Sequence, residues 1–317
     1  MSRYRSNLPQ IRDQLFLTDG GMETYLIFQQ GIQLPDFASF HLLQKPGGEE
    51  IVRTYFSAYA DIARRYGTGL LLDTATWRAN ADWGTRHGLD AAALAAINAR
   101  AVALLESLRD EFAPVPVVIS GCIGPRGDGY VPRETMTVRH AEAYHQPQID
   151  ALAATNADML CAMTLNYVEE AIGITHAARR AHMPLAISFT VETNGKLPTG
   201  QSLGSAIRIV DGATSGYPVY YMVNCAHPSH FAHLLDPEEH WVRRIRGIRA
   251  NASCRSHAEL NDSADLDTGD PLALARSYAE LRQRLPQLTV LGGCCGTDHR
   301  HVEQIAAACA DKVGAAR

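Results

Sequence analysis

The sequence predicts an α/β protein of the (β/α)8 TIM-barrel type. Three observations predict it. Eight short apolar runs recur along 317 residues, alanine-rich amphipathic segments separate most of them, and chemically unusual residues follow run after run. Parallel strands need crossover connections, and closing the sheet removes its edges, so a barrel gathers every strand's C-terminal end onto one rim. An open doubly wound sheet is the competing arrangement. The whole chain, 1–317, reads as one barrel domain without a solenoid repeat or low-complexity linker.

The first strand, 15–18, runs into Asp19-Gly20-Gly21, where glycines allow a tight turn above the strand end. After an excursion containing Gly31, Pro35 and Pro46, a helical pattern covers 49–66. The second strand, 70–73, leads into Thr74-Ala75-Thr76-Trp77-Arg78. A long helix with few breakers spans 91–112, and strand three, 116–120, opens into Gly121-Cys122-Ile123-Gly124-Pro125. Residues 137–155 read as helix with Pro147 a kink or boundary, 159–163 as strand four, 169–182 as helix and 185–189 as strand five. A loop at 195–200 precedes a helix over 203–213 and strand six at 219–224. In 241–248 the apolar residues are interrupted by Arg243, Arg244 and Arg246, and strand seven is set at 245–250. An acidic loop at 261–271, a helix at 272–285, strand eight at 288–291 and a helix at 298–312 complete the pattern.

Net charge is −5 with both signs interspersed, which announces no basic surface for nucleic acid and points to a small-molecule partner. No apolar signal-type core follows Met1, and no apolar run approaches the roughly 18 residues of a membrane span. The seven cysteines lack small-domain disulfide spacing, so a reduced, cytoplasmic protein is expected; a homo-oligomer is compatible with the sequence.

Chemistry concentrates in Gly292-Gly293-Cys294-Cys295-Gly296-Thr297. Two thiols lie between glycines at a strand-to-helix turn, and Cys225 ends the apolar run before Pro228. If both runs are strands of one parallel sheet, three sulfurs emerge at the same end. Three thiolates without an obvious fourth protein ligand form the arrangement of a catalytic zinc site with an open position. Cys122, Cys161, Cys254 and Cys309 read as inert core. A redox-active Cys294–Cys295 pair is the other functional reading. His227, His299 and His301 compete by spacing for the metal, though capping or surface roles suit them better.

Together, Asp19-Gly20-Gly21, Ser120-Gly121-Cys122-Ile123-Gly124-Pro125, Asn224-Cys225 and Gly292-Gly293-Cys294-Cys295-Gly296-Thr297 resemble the motifs of the zinc-dependent homocysteine S-methyltransferase family, in matching order over nearly the whole chain. The doubled cysteine with its upstream Asn-Cys is the specific part. The resemblance implies Zn2+ held by Cys225, Cys294 and Cys295, with the substrate thiol in the fourth position. A methyl group would then pass from a sulfonium or betaine-type donor to homocysteine, giving methionine. It further implies substrate contacts from Asp19, Gly20 and Gly21. Trp77 stands at an aromatic position where an indole face can hold a cationic donor, and Asn224 is placed to orient Cys225 or a substrate carboxylate.

Three positions depart from the family pattern. Ala162-Met163-Thr164 replaces Phe-Glu-Thr, so Met163 stands where a glutamate would bind the substrate ammonium. Arg78 replaces the tyrosine of the betaine branch, and a cation there repels a cationic donor and welcomes a carboxylate. Asn251-Ala252-Ser253 replaces Asn-Ala-Gly or Asn-Ser-Gly. A thiol or selenol without the free ammonium, or with an added carboxylate, is therefore the alternative acceptor, and a zinc-binding or redox dithiol protein without methyl transfer is the alternative class.

Overall fold

The computed structural model describes residues 2–12 and 14–310. Eight parallel strands close in chain order: β1 (Phe16–Leu17), β2 (Gly69–Asp73), β3 (Val117–Ile123), β4 (Met159–Leu165), β5 (Leu185–Phe189), β6 (Tyr220–Asn224), β7 (Ile245–Ala250) and β8 (Val290–Gly293). The shortest strand makes the closure. Phe16 and Leu17 pair with Gly69 and Leu70 on one side and with Val290 and Leu291 on the other.

Outside the barrel lie the longer helices α1 (Gly48–Tyr66), α2 (Ala91–Glu111), α3 (Val138–Ala153), α4 (Val168–Arg180), α5 (Leu203–Thr214), α6 (Pro271–Arg284) and α7 (His299–Cys309). The β6-to-β7 connection has only a short helix, Pro228–Phe231, and 3-10 turns at Ala232–Leu234 and Val242–Arg244.

The expected barrel is present, with several boundaries moved. Strand three does not stop before Gly121: pairing continues through Cys122↔Cys161 and Ile123↔Ala162, and the Thr74 Oγ1 accepts the Cys122 N–H at 2.9 Å. Strand four likewise runs two residues past Met163. Pro147 neither ends nor divides α3; it is exposed, as is Ala143 four residues before it, so water can reach the carbonyl that loses its partner. By length and apolar composition α2 could cross a bilayer, contrary to the sequence expectation, but Ile97, Val102, Leu105 and Leu108 bury one face in the protein core. The last helix ends at Cys309, and the expected extension over residues 311–312 lies outside the described residues.

Alternation along the strands sorts two cores. Inward-facing Phe16, Leu71, Val118, Met159, Tyr220 and Val290 fill the barrel, while their neighbours Leu17, Leu70, Val117 and Leu291 pack against the helices. Leu8, from the N-terminal segment, joins the inner cluster. That segment is tied down by charge. Arg5 donates to the carbonyls of Ala153, Thr155 and Ala157, and Asp158 accepts the N–H groups of Arg3 and Tyr4, each at 2.8 Å, while pairing with buried Arg109. Removing one partner of a buried ion pair typically costs about 3–5 kcal/mol. Asp158→Ala is therefore expected to lower the unfolding free energy in urea by about that amount; a loss below about 1 kcal/mol, the range of a surface pair, would contradict this role.

Candidate active site

The three cysteines of the predicted cluster meet at the C-terminal mouth, arranged around the end of β7. Cys225 follows β6, and its N–H donates to the Arg249 carbonyl at 3.1 Å; Cys294 follows β8, and its N–H donates to the Ala250 carbonyl at 2.8 Å. Adjacent β7 carbonyls thus set the sequence-distant thiols at one level. The sulfurs of Cys225, Cys294 and Cys295 all lie within 4.8 Å of one another. The sulfurs of Cys225 and Cys294 are in direct contact, with a Cα–Cα distance of 5.3 Å, and Cys295 is a free thiol. Cys294 and Cys295, the vicinal pair of the redox reading, are not bonded to each other; Cys294 lies against Cys225.

Cys225 has φ 54°, a left-handed conformation that costs a non-glycine residue energy, so its surroundings must over-determine it. They do so at its carbonyl, which accepts from His257 Nε2 at 2.5 Å and Asn251 Nδ2 at 3.1 Å. Glu192 Oε1 lies 3.1 Å from the other nitrogen of His257. Thr164, at the end of β4, is also left-handed, with φ 62°. Asn224 locks it: its Oδ1 accepts the Thr164 N–H at 3.0 Å and the Ser188 hydroxyl at 2.6 Å, and its Nδ2 donates to Thr164 Oγ1 at 2.8 Å. The same amide nitrogen lies 3.9 Å from Cys294 Sγ. Asn224 therefore faces the sulfur of Cys294, and its contacts are with protein groups.

The glycine pair after β1 serves a different end from the tight turn expected. Neither Gly20 nor Gly21 has positive φ; a Cβ on Gly21 would stand 2.5 Å from the Cys294 carbonyl oxygen. Small size lets the β1 loop lie against the cysteine loop. Gly296 does need a left-handed backbone, at φ 79°, to turn the chain after Cys295.

A cavity of about 420 Å³ opens beside the sulfurs. Asp19, Gly20, Gly21, Trp77, Met163 and Asn224 all line it, together with the three cysteines. Met163 also belongs to the apolar barrel interior, where its Sδ accepts from Cys161 Sγ at 3.3 Å. Trp77 Nε1 reaches the Met163 carbonyl at 3.4 Å, and its ring carries the Arg78 guanidinium at 4.1 Å. The histidines stay out of the thiol cluster. His227 and His301 cap helix starts, and the His299 ring packs edge-on against Tyr25. Cys122, Cys161 and Cys309 are buried as expected, whereas Cys254 is exposed because it lies in the loop after β7.

Sequence reading missed Arg249. It sits on β7 among arginines that look like surface charges, yet it points inward and joins four strand ends. Nη2 pairs with Asp19 Oδ1 and Nη1 with Asp73 Oδ2, both at 2.5 Å, and Nε donates to the Gly293 carbonyl at 3.0 Å. Its alternation with Gly247, an inward position beside Met222, was the available signal. Two buried carboxylates share one cation. Burial raises Asp19 from 3.8 to about 6 against the opposing pull of Arg249, with Asp73 adding to the rise, and burial also raises Asp73. Burial pushes the free Cys295 thiol up to about 11.

A closed parallel barrel with a thiol cluster at its C-terminal mouth defines an enzyme of the barrel class whose site is suited to a soft divalent metal. The homocysteine S-methyltransferase family model matches residues 16–309, and the chain belongs to that family of methyltransferases. The homocysteine S-methyltransferase YbgG of Bacillus subtilis is 25% identical over 322 residues, covering 92% of this chain and 94% of that protein. A homocysteine S-methyltransferase of Escherichia coli is 27% identical over 232 residues, covering 68% of this chain and 70% of that one. The fold matches the homocysteine methyltransferase MmuM of E. coli in its oxidized form, with a TM-score of 0.75 at 22% identity over 95% of this chain and 97% of that one. Its metallated form gives 0.73 at 22% over 93% and 96%.

The charge imbalance at Arg249 has a measurable consequence. A carboxyl group whose folded pKa is raised holds its proton longer when folded, so its stabilising contribution is full below pH 3.8 and is lost as pH rises through about 6. At 1.36 kcal/mol per unit the effect of Asp19 is at most roughly 3 kcal/mol. Asp73→Asn leaves Arg249 to Asp19 alone and removes the competition. The melting temperature of this variant relative to the parent is expected to rise between pH 4 and pH 7; a difference independent of pH would refute the shared-cation account.

Proposed function

We propose that the chain is a zinc-dependent S-methyltransferase that moves a methyl group from a sulfonium or betaine-type donor to homocysteine, giving methionine. The observation that carries this reading is the convergence of Cys225, Cys294 and Cys295, with sulfurs within 4.8 Å, at the mouth of a cavity of about 420 Å³. Three thiols and no histidine make a donor set suited to zinc with one position left for substrate. Zinc takes all three sulfurs as thiolates, so the site binds the metal in its reduced form. A reducing cytoplasm meets that requirement. Zinc bound there supplies a Lewis acid that lowers a thiol's pKa and leaves the sulfur nucleophilic at neutral pH.

The remaining work belongs to the protein. Methyl transfer is an in-line displacement, so catalysis rests on holding two substrates in alignment more than on acid or base chemistry. The thioether of Met163 cannot accept an ammonium as a carboxylate would. Asp73 supplies the charge elsewhere: it lines the cavity, its buried Oδ1 meets no geometric hydrogen-bond partner among the described residues, and it shares Arg249 with Asp19. An incoming ammonium would offset the surplus negative charge of that trio. These features support homocysteine as acceptor despite the substitution at Met163.

Reduced protein is expected to bind one zinc per chain and, once loaded, to convert homocysteine to methionine with S-methylmethionine, S-adenosylmethionine or a betaine as donor, read by mass spectrometry. Cys294→Ser is expected to lose the metal and to lower turnover by more than about 100-fold, beyond the range seen for outer-sphere partners. Full turnover by metal-free protein would overturn the reading.

A further inference from the structure

Three arginines are buried among the described residues, and two have carboxylate partners: Arg109 has Asp158, and Arg249 has Asp19 and Asp73. Arg78 has none. It is only 9% exposed, and among the described residues no carboxylate oxygen lies within 4.0 Å of its nitrogens. Its guanidinium carbon lies 4.1 Å from the Trp77 ring centroid and 3.8 Å from that of Trp83, so two indoles fix its position. Nη1 donates to the Gly127 carbonyl at 3.0 Å, and Nε is buried without an acceptor among the described residues.

The acids whose charge reaches Arg78 are engaged elsewhere. Asp128 Oδ1 accepts the N–H groups of Tyr130 and Val131 at 2.7 and 2.9 Å, Glu23 accepts the Ser39 hydroxyl at 2.7 Å, and Asp36 lies 3.1 Å from His87 Nε2. Burial accordingly lowers Arg78 from 12.5 to about 10. Taking an unpaired charge out of water costs several kcal/mol, and cation–π contact with two rings returns only part of it. Arg78 also lines the cavity that the cysteines line.

We propose that Arg78, clamped between Trp77 and Trp83 on the cavity wall, is the docking point for a carboxylate carried by one of the two substrates. The Nη1/Nη2 end of the guanidinium, with the Nη1 hydrogen not given to Gly127, provides the planar fork that grips a carboxylate through two charge-assisted hydrogen bonds. The naming of substrates rests on the methyl-transfer reading. Carboxylate recognition itself is a binding property and is measured apart from turnover.

Tryptophan fluorescence of the reduced, zinc-loaded chain reports on the rings that flank Arg78. Two matched pairs are titrated: 3-mercaptopropionate against its amide for the acceptor, and S-methylmethionine against its carboxamide for the donor. In one pair the acid is expected to bind at least about tenfold tighter than the amide, the discrimination expected of a charge-assisted bidentate contact. The pair that shows it identifies the substrate carrying the carboxylate. Arg78→Gln, checked for retained fold and zinc content, is expected to abolish the preference. Should that variant not fold, Arg78→Lys keeps the charge, loses the fork and is expected to weaken the preference several-fold. Absence of an acid preference in both pairs, or a preference unchanged in the variant that folds, overturns the proposal. Failure to transfer methyl groups leaves these titrations readable, so the two readings fail separately.

Discussion

The site depends on β7 lying between β6 and β8 in fixed register. Two consecutive β7 carbonyls, of Arg249 and Ala250, accept the N–H groups of Cys225 and Cys294, and that pairing makes neighbours of residues separated by 69 positions in the chain. A shift of β7 by one residue would turn Arg249 out of the barrel and displace both thiols. Barrel closure through the two-residue strand β1 adds the other wall, because Gly21 can then lie against the Cys294 carbonyl.

Strain and charge are placed where this framework is strongest. The left-handed backbones of Thr164 and Cys225 are braced by Asn224, His257 and Asn251, so the rim of β4 and β6 is stiff where a ligand set must be preorganised. Below it, Arg249 binds the ends of β1, β2 and β8 together through Asp19, Asp73 and the Gly293 carbonyl. Surplus negative charge at this trio and the unpaired guanidinium of Arg78 lie in the wall of one cavity. That combination complements a zwitterionic amino acid.

Most of the architecture was legible because barrel strands alternate with helices in chain order, and even the weak seventh strand falls at Ile245–Ala250 as expected. The thiol cluster was legible because glycines around Cys294 and Cys295 exclude an ordinary core role. What escaped was tertiary. Strand three's extension through Cys122 depends on pairing with β4, and the continuity of α3 through Pro147 depends on which face meets water. Arg249 and His257 carry no local motif; their importance arises from partners on other strands and loops. Arg78 was visible as a departure from the family pattern, but that no carboxylate among the described residues touches it required the packed structure.

X-ray absorption at the zinc edge tests the central claim most directly, since it counts the sulfurs around the ion in the reduced protein. Three sulfurs and one lighter atom are predicted for the loaded enzyme, with four sulfurs after homocysteine is added. Fewer than three sulfurs in the free form, or a spectrum unmoved by homocysteine, would contradict the account.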